Sequence, residues 1–149
     1  MKTILQIIEG AGGLRRAKCI SVENDPWMRL VIEVLPEPGP DGHVVVSVAH
    51  CGEQNSDPMR DPEMLFEVLQ EDGAQFEFWP FYFRNDYVGV EQHSRYRSQS
   101  GDLVCLPKMT RDMEQFAMLW DRNLSEQGFL EAFRRQTACT TSEKRSNQI

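Results

Sequence analysis

A chain of 149 residues, 40% hydrophobic and 26% charged, is expected to fold as one globular domain around a single core. Its 23 acidic residues outnumber its 16 basic ones, for a net charge of -7, which argues against a nucleic-acid surface because phosphate binding needs clustered Lys and Arg. No run approaches the ~18 apolar residues of a membrane span, and MKTILQIIEG meets paired glycines and arginines too soon for a secretory leader.

From the N-terminus, Ile4, Ile7, Ile8, Ala11 and Leu14 fall at helical spacing over residues 2–16, with Thr3 as N-cap and a stop expected near Gly12. From Trp27 the period becomes two: Met28, Leu30, Ile32 and Val34 share one face of a strand, and the face of Trp27, Arg29, Val31 and Glu33 reads as half buried. PEPGPDG must be a loop. HVVVSVAH is apolar at nearly every position, so it is expected at the centre of the sheet.

HCGEQNSDPMRDPEM, from His50 to Met64, is then expected to be a polar loop stiffened by Pro58 and Pro62. EMLFEVLQ reads as a strand, with a turn at Asp72-Gly73. QFEFWPFYF is an aromatic strand with a bulge or an edge at Pro80. Counted by twos, Phe76, Phe78 and Tyr82 share one face and Trp79, Phe81 and Phe83 the other. YVGVEQHSRY returns after a turn at Arg84-Asn85-Asp86. Thr110 is the expected N-cap of a helix bearing Met113, Phe116, Ala117, Trp120 and Leu124, and Ser125 that of a short last helix. The expected fold is therefore α+β: an antiparallel meander of three to five strands with helices packed mainly on one face. One domain spans 1–135, and 136–149 is expected to be a disordered tail, because TACTTSEKRSNQI has little to bury.

The four cysteines, Cys19, Cys51, Cys105 and Cys139, are widely spaced with no C-x-x-C pair, which points to free thiols and a cytoplasmic protein. Chemistry concentrates after the central strand. Asp57, Asp61 and Glu63 could offer oxygen ligands to Mg²⁺, Mn²⁺ or Ca²⁺, but their spacing matches no standard loop, and Asp61-Pro62-Glu63 is more simply the start of a turn or helix whose Asp accepts backbone N–H groups. No zinc spacing and no phosphate loop are present. A Cys51 nucleophile beside His50 or His93 is less economical than a strand-end core cysteine. No cofactor and no catalytic residue are assigned.

HCGEQNSDPMRDPEM, Trp79-Pro80, RNDYVGVEQ from Arg84, and F-x-x-x-W-x-x-NLSEQGF from Phe116 resemble an uncharacterised domain family encoded on bacterial plasmids, phages and integrative elements. The resemblance covers roughly Met28 to Phe129. Cys51 stands at the family's aromatic position, Ser56 at its glycine and Pro58 at its apolar residue. It implies mobile-element cargo in the bacterial cytoplasm and supplies no activity.

Residues Glu53 to Glu91 hold ten acidic and two basic residues, a net -8. That charge is complementary to a basic protein partner. Together with surplus aromatics, it favours a non-catalytic protein-binding or accessory factor, such as one acting in counter-defence. The expected binding residues are His50, Glu53, Asn55, Asp57, Asp61, Glu63, Trp79, Asn85 and Asp86. The alternative is a metal-dependent hydrolase or nuclease built on Asp57, Asp61 and Glu63, with His50 as base.

Overall fold

The computed structural model describes residues 1–70 and 76–146, with side chains as far as residue 140. The turn expected at Asp72-Gly73 lies outside the described residues. Helix α1 (Lys2–Gly10) precedes strands β1 (Cys19–Asn24), β2 (Trp27–Leu35), β3 (Val44–Gln54), β4 (Asp57–Leu69), β5 (Glu77–Asn85) and β6 (Val90–His93). A small ribbon, β7 (Arg95–Arg97) and β8 (Leu103–Cys105), leads to α2 (Pro107–Glu126) and α3 (Phe129–Ser146). The first six strands form one antiparallel sheet in chain order. The architecture is α+β as expected, but with six meander strands rather than three to five. Strand β1 was missed although Ile20 and Val22 alternate on its buried face.

All three helices cover one face of the sheet. Ile4, Ile7, Ile8, Trp120 and Phe129 meet Leu30, Ile32, Val46, Val48, Met64 and Phe66 in a single core, with Phe116 packed at its margin. Among the described residues, no helix is long and apolar enough to cross a membrane.

Several ends differ from the sequence reading. Helix α1 stops at Gly10, and Gly12 and Gly13 follow with positive φ, so the glycine signal is correct. Its N-terminus is capped from α2 rather than by Thr3: the Lys2 and Thr3 amides donate to the Asp121 carboxylate at 2.9 and 3.0 Å. Helix α2 begins at Pro107, where a missing N–H is harmless, and Thr110 instead donates its hydroxyl to Leu106 O at 3.1 Å. Ser125 lies in the last turn of α2, which ends at Glu126, and Gly128 follows at φ 81°.

Helix α3 extends to Ser146, past Gln136, where the tail was expected to start. Gln136 is tied to the free edge of β1. Its carbonyl accepts the Glu23 amide at 3.0 Å, and its Nε2 donates to Ser21 O at 3.5 Å. One side chain thus serves the edge as a neighbouring strand would.

The bulge anticipated at Pro80 is present. Leu65 pairs with Tyr82 but Phe66 pairs with Pro80, so Phe81 is the extra residue. The bulge reverses the alternation. Phe83 joins Phe76 and Phe78 on the helix side, and Tyr82 turns to the other face with Phe81, Val45 and Leu65. The two-faced count above failed because it carried the period through the bulge.

Candidate functional site

The stretch from His50 to Met64 is not a loop. Strands β3 and β4 continue through it as a long hairpin, pairing Glu53 with Pro58 and Gln54 with Asp57. Asn55 and Ser56 alone make the turn, both at positive φ (53° and 68°), the pattern of a two-residue I′ connection. Ser56 therefore holds the left-handed conformation that a glycine would adopt more easily. The arm is polar because its outer end projects beyond the core: Glu53, Asn55 and Asp57 are all exposed.

His50 is at the base of this arm and faces the opposite environment. It is buried among α2 and α3, with its ring centroid 5.6 Å from Trp120 and 5.3 Å from Phe129. Its Nδ1 lies 3.0 Å from Met28 O, an acceptor only, so Nδ1 carries the proton. Burial pushes the imidazole below its usual range, against the opposing pull of the Met28 and Arg29 backbone bonds and the Asp61 charge. Burial likewise pushes the neighbouring Cys51 thiol up, which keeps it out of the reactive thiolate form.

The other signature residues fasten β4 to the turn after β5. Asn85 donates Nδ2 to Asp61, and its Oδ1 accepts the Tyr87 and Val88 amides at 3.1 and 3.4 Å. Asp86 accepts the Arg60 amide at 2.8 Å and returns its own amide to Arg60 O at 2.9 Å. The Arg60 amide first, and the Arg84 guanidinium beside it, hold the Asp86 carboxyl below the usual carboxylate range. Glu63 accepts Ser47 Oγ at 3.0 Å and pairs with Arg60 at 3.1 Å. Next to it, Tyr82 donates to Glu91 at 2.8 Å, and burial together with that carboxylate pushes the phenol up to about 12. Asp57 pairs at the arm tip, four residues from Asp61, or about 13 Å along an extended strand. Among the described residues no three His, Cys, Asp or Glu side chains gather to hold a metal.

Trp79 stands apart from this cluster. It pairs with Glu67 across the sheet, is half exposed, and donates Nε1 to Glu77 at 3.0 Å. The Arg95 guanidinium lies 5.7 Å from its ring centroid. Arg95 is itself buried: it donates to the fully buried Glu67 at 2.9 Å, to Asp41, and to Trp79 O at 3.3 Å. Glu67 also accepts the Asp41 amide at 2.8 Å, so this cluster fastens the PEPGPDG loop and the β7–β8 ribbon onto the sheet. Gly39 leaves room for it, since a Cβ there would fall on the Glu67 carboxylate.

Two recesses open on either side of Trp79-Pro80. One, of about 560 Å³, lies between Phe76–Pro80, the start of α1, and Ala117 and Met118 of α2. The other, of about 360 Å³, reaches Leu103, Cys105 and Thr110. Glu114 lines both.

Comparison with family models matches residues 2–130 to a family described as a domain of unknown function, DUF6908. The chain belongs to the DUF6908 family. Comparison with curated proteins and with solved structures finds no match.

The DUF6908 match ends as α3 begins, so Gln136 and its hold on β1 lie beyond it. Within the DUF6908 domain, the candidate residues separate into four places: His50 in the core, Asp61, Glu63, Asn85 and Asp86 in the β4–β5 clip, Glu53, Asn55 and Asp57 on the arm, and Trp79 beside Arg95. Sequence reasoning did not find Arg95, Glu67, Glu114 or Met118. Glu67 gave a faint signal, as the one charge inside the apolar run MLFEVL.

Proposed function

We propose that this DUF6908 protein is a non-catalytic protein-binding module, carried by a bacterial mobile element as an accessory or counter-defence factor and acting in the cytoplasm. The observation that carries the reading is the division of labour among side chains. Asp61, Asn85 and Asp86 satisfy backbone and one another, and among the described residues no three His, Cys, Asp or Glu side chains gather to hold a metal. Apolar surface is left uncovered instead around Trp79, with Met118 74% exposed. The acidic net charge supports a basic protein partner and speaks against direct nucleic-acid binding.

The test is affinity capture from bacterial lysate, with the protein as bait, followed by reconstitution with the purified captured protein. A stoichiometric complex that survives Asp57→Ala, Asp61→Ala and nuclease treatment is the expected result. The hydrolase alternative is tested in parallel by calorimetric titration with Mn²⁺ and Mg²⁺. Saturable metal binding that disappears in Asp61→Ala, without a change in melting temperature, would replace the binding reading with the metal-dependent one.

A further inference from the structure

The two recesses beside Trp79 lie in line along α2 as a two-pocket channel and share Trp79, Pro80 and Glu114. Thr110, Glu114 and Met118 recur at intervals of four, so they lie on a single stripe of that helix. Thr110 lines the recess toward β8, Met118 the recess toward α1, and Glu114 both. The opposite wall is Trp79-Pro80 of β5. Thr110 to Met118 spans about 12 Å of helix, the length of about four residues of extended chain.

The chemistry of this channel is specific. Its ends are apolar: Leu103 is 37% exposed at one, Met118 74% at the other. Its middle is acidic. Arg95 is already neutralised by Asp41 and Glu67; Glu114 lines both recesses, while Glu77 accepts Trp79 Nε1 and shares the α1-side recess with Lys2 and the N-terminal Met1. Backbone pairing is poorly supported at this edge, because Pro80 lacks an N–H and the Trp79 carbonyl already accepts from Arg95. Side chains, rather than strand addition, would have to carry recognition.

We infer that this channel binds an extended peptide segment of a partner protein, with apolar side chains about four positions apart in the two recesses and a Lys or Arg between them against Glu114. The inference rests on the protein-binding reading and gives it a site and a ligand chemistry. An apolar anchor at each end supplies the buried area, and the central cation sets register and selects against acidic or uncharged segments.

A phage-displayed library of random heptapeptides, panned on the full chain, tests it. Selected sequences should share a basic residue flanked by apolar ones. Synthetic copies should lose affinity by about tenfold or more on Glu114→Lys and on Met118→Glu, and bind Leu119→Glu as well as the parent chain. Leu119 is the exposed control elsewhere on α2. Thermal melts accompany each variant, and Glu114→Gln carries the charge test if the reversal unfolds the chain. No enrichment, enrichment of peptides lacking a basic residue, or equal binding to Glu114→Lys would overturn the inference. A concentration-dependent dimer abolished by Met118→Glu would also overturn it, by making the channel a self-interface. A reconstituted lysate partner that is indifferent to Glu114→Lys and Met118→Glu would keep the protein-binding reading and remove this site.

Discussion

His50→Phe tests whether the most chemically suggestive residue of the chain is a structural one. The substitution keeps an aromatic ring between Trp120 and Phe129, at centroid distances of 5.6 and 5.3 Å in the parent chain. It removes the 3.0 Å bond to Met28 O. Losing one ordinary intramolecular hydrogen bond costs ~0.5–1.5 kcal/mol. For a domain of this size that lowers the melting temperature by ~1–6 °C at pH 7.5. The pH dependence gives a second readout. Burial lowers the folded-state pKa of His50 below the ordinary 6.5, so the unfolded chain takes up the proton first. The contribution of the neutral imidazole is therefore fully present above pH 6.5 and is lost as the pH falls below it, by at most about 1.4 kcal/mol per pH unit. The variant has no such loss at this position. Melting curves of parent and variant between pH 7.5 and 5.5 should accordingly converge on acidification. An unchanged melting temperature at pH 7.5, or a gap that stays constant across this range, would refute the reasoning and return His50 to the list of candidate bases and ligands.

Asp61→Ala and Asn85→Ala should each cost ~1–2 kcal/mol in denaturant titration, and the double variant should cost less than their sum, because the two side chains form one clip. Asp57→Ala, on the exposed arm, should stay within about 0.5 kcal/mol of the parent. Ser56→Gly should stabilise the chain by ~0.5–1 kcal/mol, since its φ of 68° favours glycine; a destabilised variant would mean that the serine is needed for something other than the turn. Limited proteolysis should trim the C-terminus but leave Gln136 attached to the core, and Gln136→Ala should move the cuts inward; cleavage before Gln136 in the parent chain would show that its hold on β1 is weak.

The sequence by itself determined the features that depend on neighbours along the chain. The helical stripe of Ile4, Ile7 and Ile8, its end at the glycine pair, the centrality of VVVSVA, and the bulge at Pro80 all follow from local periodicity and from backbone groups a residue has or lacks. The β3–β4 arm was read as a loop because a strand with solvent around it shows no apolar period, and its order comes from the ladder to its partner. The tertiary structure alone decided what each polar residue does. His50 is adjacent in sequence to the polar arm but enters the core, Asp61 finds Asn85 across 24 positions, and Arg95 finds Glu67 across 28. Such pairings are set by which strands lie side by side and which face a bulge turns inward, so the sequence around a buried charge does not name its partner. The same holds for the channel beside Trp79, whose walls come from α1, α2, β5 and the β7–β8 ribbon and exist only once those elements have packed.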